Sequence, residues 1–300
     1  KYLLVIAGPT AVGKTALSVR LATHYNTVIL SCDSRQFYRQ LNIGTAKPNA
    51  QELLAVRHYF INNKDVGDLY GAGHFASEAL TQLGSLFKTH NLVIASGGSG
   101  LYINALLNGV DDFEDIPLTV RQQLNTEYAE KGLTWLQEEL NRVDPAYFNK
   151  VDRNNPQRMI RALEVFRHTG SRFSSFLSDQ KQERGFTPIP LLINLPREVL
   201  YERINRRVDH MMEQGLADEV RSLVDKKNFN ALKTVGYKEL FEHFDERYTL
   251  SEAVDKIKQH TRNYAKRQVT WFRNRGGFEE FEPDADEKIK AYVDLIMSHG

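Results

Sequence analysis

Near the amino terminus, Gly8-Pro9-Thr10-Ala11-Val12-Gly13-Lys14-Thr15 fits the G-x-x-x-x-G-K-[ST] phosphate loop. Each fixed position has a chemical reason. Glycine at 8 and 13 removes the Cβ atoms that would keep backbone amides from curling around an anion. Those amides, with the N-terminus of a helix starting near Lys14, aim partial positive charge at a diphosphate. Lys14 adds a full charge, and the Thr15 hydroxyl is placed to ligate Mg²⁺. The chemistry on offer is the holding of a diphosphate or a triphosphate. Which one is held, and what is done with it, the loop alone leaves open.

The elements that must position these groups follow from hydrophobic spacing. The apolar run Tyr2–Ala7 precedes the loop, and Leu17, Leu21 and Tyr25 recur at the spacing of a helix face behind it. Further short apolar runs cover residues 27–31, 92–95 and 189–195. The first ends at Cys32-Asp33-Ser34, and the second runs into Ser96-Gly97-Gly98-Ser99-Gly100 and a helix over 101–107. Short apolar runs alternating with helices predict an α/β fold, a P-loop NTPase-like parallel sheet covered on both faces. Ligands of such sheets bind beyond the carboxyl ends of the strands. That points to residues 8–15, 33–36 and 96–100.

Between residues 111 and 186 the pattern is helical only. One helix carries Val120, Leu124 and Tyr128, and another carries Leu133, Leu136 and Leu140. A third opens at Asn155-Pro156 and stops before Gly170, with N-cap, first-turn proline and terminal glycine in their preferred places. The expected organisation is a core of residues 1–112 and 187–300, including C-terminal helices, with an all-helical subdomain of residues 113–186 inserted. In the last third, Leu200, Ile204, Val208 and Met211 form one stripe over 198–212. Arg203 and Arg207 lie one turn apart on another face. A long helix over 251–275 carries Lys256, Lys258, Arg262, Lys266, Arg267, Arg273 and Arg275.

Composition narrows the class without naming it. With 41% hydrophobic and 26% charged residues the chain is an ordinary globular protein. A formal charge of +1 does not by itself declare a nucleic-acid binder, so local clustering must carry any such claim. The single cysteine, Cys32, rules out an internal disulfide framework and a Cys-rich zinc module. No apolar run approaches the ~18–20 residues of a membrane span. No membrane partner, a reducing cytoplasm and a monomer are the expectations.

The residues beside the loop limit its chemistry. A motor-type or GTPase-type NTPase places a metal-holding aspartate at the end of a core strand. Here the 92–95 run leads into Ser96-Gly97-Gly98-Ser99, which holds no carboxylate, and Asp33 is the acidic group that ends a core strand. Asp33 either steadies Mg²⁺ through water or takes a proton from an incoming nucleophile, as in small-molecule kinases. The alternative is that it caps a turn through Ser34 and Arg35. Arg203 and Arg207 likewise either reach a diphosphate or form a solvated face.

Taken together, the phosphate loop, Asp33-Ser34-Arg35-Gln36-Phe37-Tyr38, Gly44-Thr45-Ala46-Lys47-Pro48, Gly97-Gly98-Ser99-Gly100-Leu101-Tyr102, Pro156-Gln157-Arg158-Met159-Ile160-Arg161-Ala162-Leu163-Glu164 and Arg267-Gln268-Val269-Thr270-Trp271-Phe272-Arg273 closely resemble the bacterial tRNA dimethylallyltransferases. The resemblance covers residues 2–273. It implies transfer of a dimethylallyl group from dimethylallyl diphosphate to the exocyclic amine of the adenine just 3′ of the anticodon. By the same resemblance Asp33 is the general base, and Ser99, where many members carry threonine, bonds the target adenine or orients Asp33. The loop with Lys14, Mg²⁺ on Thr15, and Arg203 and Arg207 would hold the diphosphate. Asp33, Ser34, Arg35, Gln36, Ser99, Arg121, Gln157, Arg158, Met159, Ile160 and Arg161 would contact the tRNA anticodon stem-loop, with ordinary core as the alternative for Met159 and Ile160, and the 234–238 segment is a further candidate. The basic helix would bind RNA phosphates, while Trp271, Phe272 and Tyr264 either stack on bases or belong to the core. Three rivals stand: an ATP-dependent small-molecule or nucleotide kinase, a transferase that prenylates free adenine nucleotides, and a non-catalytic RNA-binding module, against which the intact Lys14, Thr15 and Asp33 set argues.

Overall fold

The structure, a computed structural model, describes residues 1–109, 116–177 and 182–299. The chain divides into two compact units, Lys1–Asn108 with Glu183–Gly300 and, separately, Gly109–Gln182. The expected first edge of the insertion, at residue 112, lies outside the described residues.

The first unit is built on a six-stranded sheet. Its first half runs β1 (Tyr2–Ala7), α1 (Lys14–His24), β2 (Ile29–Ser31), α2 (Ala50–Ala55), β3 (His58–Tyr59), α3 (Ala72–Leu86), β4 (Leu92–Gly97) and α4 (Gly100–Asn108). The chain then makes the helices of the second unit, α5 (Leu118–Val143), α6 (Pro145–Phe148), α7 (Pro156–Thr169) and α8 (Phe173–Phe176). It re-enters the first unit as β5 (Thr187–Ile193), α9 (Arg197–Glu213), α10 (Leu216–Arg221), α11 (Tyr237–Phe244), α12 (Leu250–Arg275), β6 (Glu279–Phe281) and α13 (Asp286–His299). The strand order is β3-β2-β4-β1-β5-β6, with every neighbouring pair parallel.

The continuous apolar runs exist because both faces of the sheet are covered. Along β1, Leu3, Val5 and Ala7 enter one core cluster with Leu30, Val93 and Ala95. Leu4 and Ile6 enter another with Ile29, Ile94 and Leu191. Period-two alternation therefore buries every residue instead of half of them. Register places Ala7 beside both Gly97 and Leu192, so β1, β4 and β5 end together where the glycine-rich turns begin. Pro188 and Pro190 fall in the part of β5 that β6 does not reach, where a missing N–H leaves no ladder bond broken.

In the second unit α5 is broken at Gly132 (φ 80°, ψ −174°). The break separates the Val120/Leu124/Tyr128 face from the Leu133/Leu136/Leu140 face, as the spacing implies. Helix α7 follows its sequence signals residue by residue. The Asn155 side chain accepts the Arg158 N–H, Pro156 is the first helical residue, and Gly170 closes the helix at φ 72°. Its inner face, with Met159, Ile160 and Leu163, packs against Leu124, Leu136 and Leu140. Buried Asp144 accepts the Tyr147 N–H at the start of α6 and both the N–H and the hydroxyl of Ser174, tying α6 to α8.

Candidate active site

The sheet's carboxyl end opens into a cavity of about 550 Å³ within the first unit. The phosphate loop forms its floor. Gly13 stands at φ +108° as the N-cap of α1, a conformation that disfavours any residue with a Cβ. No side chain caps this helix and no acidic residue occupies its first turn, so its leading amides remain open to an anion. Ala11 holds φ 66°, a left-handed backbone at a non-glycine position, and such strain recurs where a loop is shaped for a ligand.

Cations crowd this floor. The Lys14 ammonium folds over its own loop and donates to Gly8 O at 2.9 Å and Pro9 O at 2.7 Å. Burial, and then the neighbouring Arg207 charge, lower its pKa to about 7, with Asp33 pulling the other way. Arg207 lines the cavity and donates to the Thr10 hydroxyl at 3.1 Å, and burial lowers its pKa as well. Arg203 does something different. Its guanidinium donates to Val12 O at 3.2 Å and braces the loop, and the residue is absent from the cavity lining. Both expected arginines thus meet the phosphate loop, each through a different bond.

Asp33 and Thr15 both line the cavity. One Asp33 oxygen accepts the N–H groups of Arg35 at 2.8 Å and Gln36 at 3.3 Å. The turn-capping and catalytic readings of this residue are therefore compatible, since one oxygen shapes the turn and leaves the other for chemistry. Ser99 is buried behind the turn, where its hydroxyl accepts the Ser34 N–H at 2.9 Å. That geometry suits orientation of the Asp33 segment, the second of the two roles expected for Ser99. Tyr264 faces the cavity, and its phenol pKa is pushed up to about 12 by burial and then by the Asp33 charge, which keeps it a neutral donor. Phe272 is fully buried and Trp271 packs against Gly100, so both belong to the core.

Among the described residues no group of three or more His, Cys, Asp or Glu side chains could hold a metal ion. The Thr15 hydroxyl and the Asp33 carboxylate nevertheless suit magnesium bound the way phosphate sites bind it, through one or two protein oxygens with the remainder from phosphate and water.

One positioning group escaped the sequence reading. Buried Gln268 on α12 accepts the Thr10 N–H at 2.9 Å and donates to Gly98 O at 2.8 Å, clamping the phosphate loop to the turn after β4. Its signal was a polar residue within the buried stripe Ala253, Ile257, Ala265, Gln268 and Phe272. Gln268→Leu keeps the volume and strands two buried polar groups, each worth about 1–3 kcal/mol. A lower urea midpoint and a donor KM raised about tenfold are expected. A variant matching the wild type in both would remove the clamp.

In the second unit, Gln157 and Arg158 are exposed on the first turn of α7. Arg121 donates to Gln157 Oε1 at 3.2 Å. Buried Glu164 lies 3.6 Å from Arg121 and 3.5 Å from Arg161, holding both guanidinium groups. Met159 and Ile160, expected among the RNA contacts, are fully buried in this unit's core and are corrected to structural residues. Five consecutive helical positions cannot share one face.

A parallel sheet, a phosphate loop at its carboxyl edge and a carboxylate facing that loop define a P-loop α/β enzyme core. Comparison with known proteins takes this further. The model of the IPP transferase family matches residues 36–275. A tRNA dimethylallyltransferase of Christiangramia forsetii is 47% identical over 99% of this chain and 98% of its own length. One of Flavobacterium johnsoniae is 46% identical over 99% of both. Among solved structures, the full-length tRNA isopentenylpyrophosphate transferase of Bacillus halodurans matches with a TM-score of 0.72 at 36% identity, covering 99% of this chain and 96% of that one. A eukaryotic dimethylallyltransferase acting on tRNA matches with a TM-score of 0.83 at 26% identity, over 99% and 80% respectively. The chain belongs to the IPP transferase family.

Proposed function

We propose that this chain is a magnesium-dependent tRNA dimethylallyltransferase. It moves the dimethylallyl group of dimethylallyl diphosphate to N6 of the adenine immediately 3′ of the anticodon. The observation that carries the reading is that Lys14, Arg207 and Asp33 face one cavity, two cations suited to a departing diphosphate beside a base suited to an amine. The names borne by relatives near half identity support it.

The adenine leaves the anticodon stack to reach the cavity. Its N6 lone pair attacks C1 of the allyl group, the C1–O bond breaks, and that electron pair leaves on the diphosphate. Loop amides, Lys14 and Arg207 stabilise the charge as it develops there. Thr15 would hold magnesium, which when bound would supply further neutralisation of that charge. Asp33 takes the proton N6 gives up, with Ser99 fixing the turn that carries it. Val208, Met211 and Ile257 line the cavity and provide an apolar wall for the five-carbon tail. Ser34, Arg35 and Gln36 in the first unit, and Arg121, Gln157, Arg158 and Arg161 in the second, are the RNA contacts. A tRNA substrate and the lone buried cysteine suit a reducing cytoplasm.

The test is mass spectrometry of an anticodon hairpin incubated with the protein, Mg²⁺ and dimethylallyl diphosphate, beside AMP and ATP as acceptors. One added five-carbon unit on the hairpin adenine is expected. Prenylated AMP with an untouched hairpin, or phosphate delivered from ATP to an acceptor, overturns the proposal.

A further inference from the structure

Outside the cavity, one carboxylate sits behind two of its walls. Glu219, on α10, accepts the backbone N–H groups of Asn42 at 3.0 Å, Ile43 at 2.8 Å and Gly44 at 3.1 Å. The same carboxylate accepts the Tyr237 phenol at 2.6 Å. A single anion thus gathers three amides of one turn and the first side chain of α11.

Both partners continue into the cavity. Gly44, Thr45 and Ala46 line it on one side, and Thr234, Val235 and Gly236 on another, whereas Glu219 and Tyr237 stay behind. The turn packs closely against the Tyr237 ring, since a Cβ at Gly44 would stand 2.5 Å from it. From there the contacts run to the cavity rim. Gln36 Nε2 donates to Thr45 O at 3.2 Å and Ala46 O at 3.3 Å, while Gln36 Oε1 accepts the Ser31 hydroxyl at 3.0 Å. Gln36 also donates its N–H to Asp33. The NH₂ end of the Gln36 side chain is therefore fixed by the wall that Glu219 holds, and its oxygen by Ser31 on β2.

We propose that Glu219 is a positioning residue for RNA capture, setting the Gly44–Ala46 wall and the Gln36 side chain for the incoming nucleotide. This rests on the tRNA-transferase reading above and deepens it. The physical case is the kind of group involved. Three backbone donors converging on one carboxylate are satisfied while it stays in place, and charge-assisted bonds of this type are about twice as strong as neutral ones. Tyr237 is fully buried, and its phenol is held well above its ordinary pKa by burial and then by the Glu219 charge, so it remains a donor at every working pH. The phosphate loop shares none of these bonds, so the device acts on the RNA side and not on the diphosphate side.

Glu219→Gln keeps the shape but turns an NH₂ toward a backbone N–H. Steady-state kinetics on an anticodon hairpin should show KM for RNA raised at least tenfold, with KM for dimethylallyl diphosphate within twofold of wild type. Tyr237→Phe, which removes one bond and no volume, should shift KM for RNA the same way by a few fold. Combined with Glu219→Gln it should add less than its separate effect. Faster hydrogen exchange at residues 42–46 should accompany both. An unchanged KM for RNA in both variants overturns the inference while leaving the parent reading intact, and so does an equal rise in both KM values. An inert wild type overturns both.

Discussion

Asp33→Asn is expected to lower kcat for prenyl transfer by about 10²–10⁴-fold, the range a positioned general base supplies. Asparagine preserves the oxygen that accepts the Arg35 and Gln36 N–H groups, so the turn should survive and the loss should be chemical. A second effect follows from charge. Asp33 props up the Lys14 pKa, so removing its charge leaves more of that lysine neutral near pH 7–8. Donor affinity should then fall by a few fold at pH 8 and recover at pH 6. Single-turnover transfer and donor titrations at the two pH values separate these effects. Undiminished turnover would remove Asp33 as the base.

Lys14→Met should lower kcat/KM for the donor by about 10²–10³-fold, as loss of one donor to a developing anion does elsewhere. The wild type carries a pH signature that the variant should lack. The Lys14 pKa is about 7, far below the ordinary lysine value. A bound diphosphate favours the ammonium and raises that pKa, so binding takes up a proton. The sign follows: affinity is highest below pH 7 and falls as pH rises from 7 to 9, by up to about tenfold per unit. The donor's own second ionisation lies near ~6 and does not disturb that window. Calorimetric titrations at pH 6, 7, 8 and 9 check this. A wild-type affinity that is flat above pH 7, or a Lys14→Met variant that keeps the slope, contradicts the assignment.

Much of the site was readable because its signals are local. The phosphate loop, the strand before it and the caps of α7 each lie within about a dozen neighbouring residues, where periodicity and capping chemistry act. The strands missed, β3 and β6, are too short and too polar to make an apolar run: His58 and Tyr59 are half-buried, and Glu279 and Glu280 are exposed. Met159 and Ile160 entered the RNA-binding set because they sit inside a motif, and helical geometry turns them inward. The positioning groups were illegible for another reason. Gln268 meets Thr10 from 258 residues away, and Glu219 meets Asn42 from 177. The stripe around Gln268 marks it as buried but names no partner, and Glu219 has no such local mark, because each pairing exists only once the sheet has brought distant segments together.

The adjacent Lys14 and Arg207 have a consequence for the life of the protein. Two basic groups drawn into one desolvated corner, with Asp33 offsetting only part of the cost, raise the free energy of the folded chain. The proposed allylic diphosphate would relieve that repulsion, and a hundredfold excess over its dissociation constant would add about 2.7 kcal/mol of stability by mass action. Proteolysis that tracks the transiently opened state slows accordingly. Isoprenoid supply would then govern how long each copy persists as well as how fast it works, and a cell short of the precursor would clear the catalyst it has no use for.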